Sequence, residues 1–294
     1  MMNGEMLPAA PATNGPFTLA ATRDTLALPD SRVTTPTMAL MTERLEFIMG
    51  MPIIIDLRDS DVDATAVDAA FAWLRQVDAT FSTYRDDSDI MRLNAQSIDL
   101  IEVDADVRDV LNRCEALRFS TEGYFDARAP RDTSEAKLPR SQRQLDPSGY
   151  VKGWSVDRAG AILEQYGGRN FAIYAGGDIL TRGRPAPGVN WRVGIQHPLE
   201  TDKVAAIIEA ENLAIATSGT YARGSHIHDP HTGLAPRGVL SVTIVGPELG
   251  TADAYATAAF AMGENGPNWT AGLAPYQAMI ILADHSVLKT PDFP

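Results

Sequence analysis

Between residues 65 and 81 the apolar positions Val67, Ala70, Phe71, Leu74, Val77 and Phe81 recur largely at intervals of three and four. That spacing puts them on one face of an α-helix and predicts an amphipathic helix ending near Phe81. Just before it, Leu45-Glu-Phe-Ile-Met-Gly-Met-Pro-Ile-Ile-Ile-Asp56 is apolar and β-branched, which predicts strands interrupted near Gly50. A second helix is expected after Lys152-Gly153, with Val156, Ala159, Ile162 and Leu163 as its apolar face and Gly167-Gly168 as its stop. Short apolar runs at 171–174, 191–195, 204–208, 240–245 and 278–282 read as strands. Most are joined by connections too short for helical crossovers, so much of the sheet should be antiparallel and the class α+β.

Residues 1 to about 40 break this pattern. Pro8, Pro11, Pro16, Pro29 and Pro36 stand too close together for a long helix, so the segment is expected to be a flexible extension outside the fold. No linker divides the region from 44 to 290 and no repeat of 20 to 50 residues is visible, which predicts one domain over 41–294.

Composition narrows the function. With 294 residues and 45% hydrophobic content the chain can bury a sizeable core. Its net charge of −13, from 25 basic and 38 acidic residues, disfavours nucleic acid and anionic membrane as partners, because both require a basic face. An anionic ligand would need local cations or a divalent metal. No run of about 18 apolar residues suggests membrane insertion. The N-terminus shows no basic region followed by an apolar stretch and a cleavage site, so the expected compartment is the cytoplasm, or the periplasm if a leader has been removed. Cys114 is the single cysteine; Leu111, Ala116 and Leu117 around it predict an apolar helix face and an inert, buried thiol.

The chemistry concentrates in a few segments. Thr251-Ala-Asp253-Ala-Tyr-Ala-Thr257 lies on a stretch rich in helix formers, so the carboxylate and hydroxyl four residues apart share a face and supply two oxygens of a Mg²⁺ site. The competing reading is an acid near the N-terminus of a helix capped by Thr251. Ser148-Gly149 followed by Lys152-Gly153 joins a helix start, a point of close ligand approach and a cation, although a plain turn with a solvated lysine fits the same residues. Ala175-Gly-Gly-Asp178 either cradles a ligand or turns the chain. His226, His228 and His231 alternate on an extended segment and lack a partner at finger-like spacing, which argues against zinc. Asp229-Pro-His-Thr-Gly233 has turn chemistry.

Taken in order, these segments resemble one family. Met49-Gly50, Phe81-Ser-Thr-Tyr-Arg-Asp-Asp-Ser88 with Leu93-Asn94, Gly123-Tyr-Phe-Asp126, Asp146 to Lys152-Gly153 with Asp157, Ala175-Gly-Gly-Asp178, Ala216-Thr-Ser-Gly219, His226 to Gly233 and Ala252-Asp-Ala-Tyr-Ala-Thr257 are similar to the motifs of the ApbE family of FAD:protein FMN transferases. The match runs from about residue 44 to about 285. It implies an ApbE-like, T-fold-like domain that moves FMN from FAD to a Ser or Thr hydroxyl of an acceptor flavoprotein carrying an Asp-X-Ser/Thr pattern, with release of AMP. FAD pyrophosphatase activity and non-catalytic FAD binding are the alternatives. By the same resemblance Asp253, Thr257 and the Gly149 carbonyl bind Mg²⁺. Met49, Tyr84, Asn94, Tyr124, Phe125, Asp126, Asp146, Lys152, Asp178, Ile227 and His228 match the FAD-contacting part. Lys152, Asp253 and His226 are the catalytic candidates, His226 near the phosphates. The chain departs from the family's usual residues at Met51, Val151 and His228.

Overall fold

The computed structural model describes residues 42–200, 202–219 and 227–294. The expected N-terminal extension and His226 lie outside them.

Two adjacent hairpins begin the sheet. β1 (Thr42–Ile48) pairs antiparallel with β2 (Met51–Leu57) through the two-residue turn Met49-Gly50, in which both residues have positive φ. That backbone matches the right-handed twist of the strands it joins. β3 (Phe171–Ala175) and β4 (Asp178–Arg182) are joined in the same way by Gly176-Gly177. A Cβ at Gly176 would lie 2.7 Å from the Met51 sulfur, so the two turns sit side by side. The full sheet runs β1-β2-β3-β4, then β7 (Ala214–Gly219), β8 (Val239–Gly246), β9 (Gln277–Leu282) and β10 (Val287–Lys289). Every pairing is antiparallel, and β1 and β10 stand at the two ends of the described sheet.

Period-two alternation sends side chains to opposite faces of this sheet. Ile53, Ile55, Phe171, Ile173, Ala216, Ile244 and Ile280 meet three helices: α1 (Thr65–Phe81), α4 (Ser148–Gln165) and α5 (Leu249–Ala261). On the other face, Ala172, Ile215, Met279 and Ile281 pack beneath a separate ribbon of β5 (Trp191–Gln196) and β6 (Val204–Ala210). A satellite core gathers α2 (Asp89–Asn94), α3 (Ala105–Ser120) and the N-terminal part of α4, with Ile90, Val107, Val110, Cys114, Leu117 and Trp154 inside. A short α6 (Gly266–Thr270) leads to β9.

The observed helix starts differ from expectation twice. α4 opens at Ser148, one turn before Lys152-Gly153: Pro147 precedes it and Asp146 Oδ1 accepts the Ser148 amide at 3.0 Å. Gly149 and Gly153 are thus inside the helix, where their missing side chains serve close packing. A Cβ at Gly153 would lie 2.5 Å from the Leu249 carbonyl oxygen, and one at Gly250 would lie 3.0 Å from the Trp154 amide nitrogen. Nor does Thr251 cap α5. That helix begins at Leu249, and Thr251 in its first turn bonds Glu248 Oε2 at 3.3 Å. Cys114 is buried as expected, but Ala116 is exposed, so the buried face of α3 follows Val107, Val110, Cys114 and Leu117 instead.

Two outcomes follow from this packing. Gly153→Ala forces α4 and α5 apart and lowers unfolding stability by about 1–3 kcal/mol, read as a lower urea midpoint; an unchanged midpoint would show the contact to be compliant. Burial pushes the Cys114 thiol up to about 12, leaving almost no thiolate at neutral pH. Native protein should therefore resist a thiol-selective reagent at pH 8 and react fully once unfolded.

Candidate functional site

Four elements converge on one constellation. The first turns of α4 bring Gly149 and Lys152, α5 brings Asp253 and Thr257, β4 begins with Asp178, and β7 carries Ser218. Lys152 Nζ forms an ion pair with Asp178 Oδ2 and lies 3.6 Å from Asp253 Oδ1. Asp178 Oδ1 accepts the Thr217 amide at 3.1 Å, which ties β4 to β7 at the centre of the site. Thr257 Oγ1 lies 3.4 Å from Ser218 Oγ. A Cβ at Gly149 would stand 3.9 Å from that same threonine oxygen and 3.3 Å from Phe125 Cε2, so the α4 backbone passes close to the hydroxyl.

Electrostatically the centre is incomplete. Asp178 and Asp253 are both buried, 1% and 5% exposed, and share a single ammonium, so among the described residues an excess negative charge remains. Asp253 Oδ2 is buried with no hydrogen-bond partner among them. Burial pushes the Asp253 carboxyl up from the usual carboxylate range, while the Lys152 charge pulls it back down and Asp178 adds to the rise. No group of three His, Cys, Asp or Glu side chains suited to a metal occurs among the described residues. The donors at hand are a carboxylate, two hydroxyls and backbone at a glycine, hard oxygens that suit Mg²⁺ completed by water or phosphate more than a closed zinc site.

Around this centre lie loops that the sequence had singled out. Met49 occupies its turn with φ of 54° and packs against both helical cores. Asn94 holds Leu145 from both sides, its amide donating to the Leu145 carbonyl at 2.9 Å and its oxygen accepting the Leu145 amide at 2.7 Å. This positions Asp146, which in turn caps α4. Tyr124 meets the edge of His231 with ring centres 4.7 Å apart, and a Cβ at Gly233 would lie 2.6 Å from the Asp132 carbonyl oxygen, so the 227–234 loop rests on the 123–133 loop. Asp126 is held by Arg140 through two oxygens and accepts the Arg128 amide, a loop-ordering arrangement. Ile227 packs half-buried on the main core, His228 is half-buried beside it, and Tyr84 is 95% exposed. The structure thus joins Gly149, Lys152, Asp178, Asp253 and Thr257 directly, places Phe125 at their rim, and leaves Tyr84 on an outer loop.

Ser218 belongs to this centre although nothing in the sequence set it apart. Its Ala216-Thr-Ser-Gly219 segment showed only that it joined an ordered series of motifs; the pairing of β7 beneath α5 gives it a role.

Such a centre, with one cation and surplus oxygen donors beside tight turns, has the chemistry to receive a polyanionic ligand together with a hard metal ion. The ApbE family model matches residues 49–130 and 128–280. An FAD:protein FMN transferase from Haemophilus influenzae is 29% identical over 247 residues, 66% of this chain and 71% of that protein. One from Vibrio cholerae is 30% identical over 257 residues, 71% and 75% of the two chains. The solved flavin transferase ApbE from Vibrio cholerae superposes with a TM-score of 0.76 at 26% identity, covering 86% of this chain and 98% of that one. The chain belongs to the ApbE family.

Lys152→Met leaves two buried carboxylates without their cation and should cost about 3–5 kcal/mol of stability at neutral pH. In the variant the folded Asp253 is a still weaker acid, farther above its unfolded value. A carboxyl raised in this way stabilises the fold while protonated and loses that contribution as pH rises. The deficit should accordingly be large at pH 8 and shrink toward pH 5 in urea titrations. An equal deficit at both would show that the two acids are not electrostatically linked to Lys152.

Proposed function

We propose that this chain transfers FMN from FAD to a Ser or Thr hydroxyl of an acceptor flavoprotein and releases AMP, in a reaction that depends on Mg²⁺. The transferase class follows from the family. The observation that carries the finer reading is the orphaned Asp253 Oδ2 in a centre with too little positive charge. Asp253 and Thr257 side chains and the Gly149 carbonyl would hold the ion, with Ser218 beside Thr257. When bound there, Mg²⁺ would neutralise the diphosphate and polarise its P–O bonds.

The protein's own groups do the rest by placement. Lys152 is paired with Asp178 and lies close to Asp253, and from there its ammonium would present a preorganised charge to the phosphates. The acceptor oxygen forms a bond to the FMN-side phosphorus as the bond to the bridging oxygen breaks, and AMP leaves with that oxygen. The proton from the acceptor hydroxyl is assigned to His226, outside the described residues. The Met49 and Gly176-Gly177 turns and the 123–133 and 227–234 loops supply the walls against which FAD lies.

Asp253→Ala and Thr257→Val should each abolish or severely reduce Mg²⁺-dependent turnover, by at least about a hundredfold for the aspartate. The assay combines purified protein, FAD, Mg²⁺ and an acceptor bearing an Asp-X-Ser/Thr segment, followed by mass spectrometry. FMN added to the acceptor supports the proposal. Free FMN and AMP would assign hydrolysis instead, and intact bound FAD would assign storage. Near-normal transfer by Asp253→Ala would overturn the metal assignment.

A further inference from the structure

Asp157 takes no part in the chemistry described above, yet it makes two hydrogen bonds between helices. Its Oδ1 accepts the Leu249 amide at 2.9 Å and its Oδ2 accepts the Gly250 amide at 2.8 Å. These amides open α5 and have no partner within their own helix. Glu248, the residue preceding the helix, makes no side-chain bond to them. A residue of α4 therefore caps α5. Burial raises the Asp157 acid to about 6 against the opposing pull of the two amides, so at neutral pH both oxygens are available as acceptors.

The cap belongs to a regular ladder. Gly149, Gly153 and Asp157 are spaced by four along α4 and share a face. Asp157 meets Leu249 and Gly250, Gly153 packs on the same two residues, and Gly149 lies by Thr257 two turns further along α5. A slide or rotation of one helix against the other at the Asp157 end would shift Asp253 and Thr257 relative to Gly149 and Lys152.

We infer that Asp157 is a positioning residue: by capping α5 from α4, it sets the helix register that brings Asp253 and Thr257 to Gly149 and Lys152. The inference rests on the metal reading proposed above.

The test measures binding of Mn²⁺ alone to the full chain by electron paramagnetic resonance. Asp157→Asn keeps the size but replaces one acceptor with an NH₂ facing a backbone N–H. Asp157→Glu keeps the charge but displaces it by a methylene. Both should weaken Mn²⁺ binding by about tenfold or more, the usual scale for losing a group that orients metal ligands. Transfer should recover toward the wild-type kcat at saturating metal, and the Leu249 and Gly250 amides should exchange hydrogen faster. Ile173→Val, a fully buried change on β3, should lower stability and leave Mn²⁺ affinity unchanged. If the Asp157 variants that fold bind Mn²⁺ as tightly as wild type does, the positioning role is overturned. A wild-type chain with no affinity for Mn²⁺ would instead sink the metal reading beneath it.

Discussion

Lys152 lies between two carboxylates that the fold has removed from water. Burying a carboxylate is costly unless its charge is compensated, and one ammonium compensates one of them. Asp178 takes the closer ion pair and the Thr217 amide, although its Oδ2 also lacks a hydrogen-bond partner among the described residues. Asp253 is left with the longer contact and an unpartnered oxygen. The imbalance is local and directional, and a ligand that brings positive charge to Asp253 would relieve it. An acidic chain that handles an anionic substrate requires such an arrangement, since its overall charge repels the substrate.

The imbalance can be tolerated because α5 is supported so closely. Ala252, Ala254, Ala256, Ala258, Ala259 and Ala261 are all buried, so the helix is apolar nearly all round and sits between the sheet, the satellite core and α4. Small side chains let backbones approach, and the Gly153 and Gly250 contact takes this to its limit. Asp253 and Thr257 are exceptions in a helix otherwise devoted to packing. Their positions are held by the neighbours of α5 more than by its own propensity.

Much of the architecture could be read from periodicity. The helix ending at Phe81, the break at Gly50 and the strands beginning at Phe171, Trp191 and Val204 stand as expected. What escaped has physical reasons. α3 is legible only as an apolar face around Cys114, because six of its sixteen residues are charged and its buried positions are few. β7 begins as Ala-Ile-Ala-Thr-Ser, whose small residues carry little strand signal until β4 and β8 flank it. The start of α4 was obscured by two glycines, residues that usually mark the outside of a helix and here mark a crossing. At the site, spacing alone left Asp253 and Thr257 open between a metal half-site and a helix start, and Lys152 between a ligand cation and a solvated turn; the structure brings the three together. Ser218 and Asp157 appeared only as members of the ordered motifs, and their contacts were hidden because each acts across elements far apart in the chain.

The location of the site then follows from register. Antiparallel pairing places the Met49-Gly50 turn beside the Gly176-Gly177 turn, and Asp178 immediately after the latter. β7 pairs with β4 only at Ile179 and Leu180, so Thr217 and Ser218 run on past the turn to meet Asp178 and Thr257. One end of the sheet therefore gathers two tight turns, the overrun of β7 and the face of α5. The positive φ of Met49 is kept where both helical cores press on it. The Gly176-Gly177 pair turns the chain directly into Asp178, so the turn reading of that segment holds and fixes where the carboxylate stands.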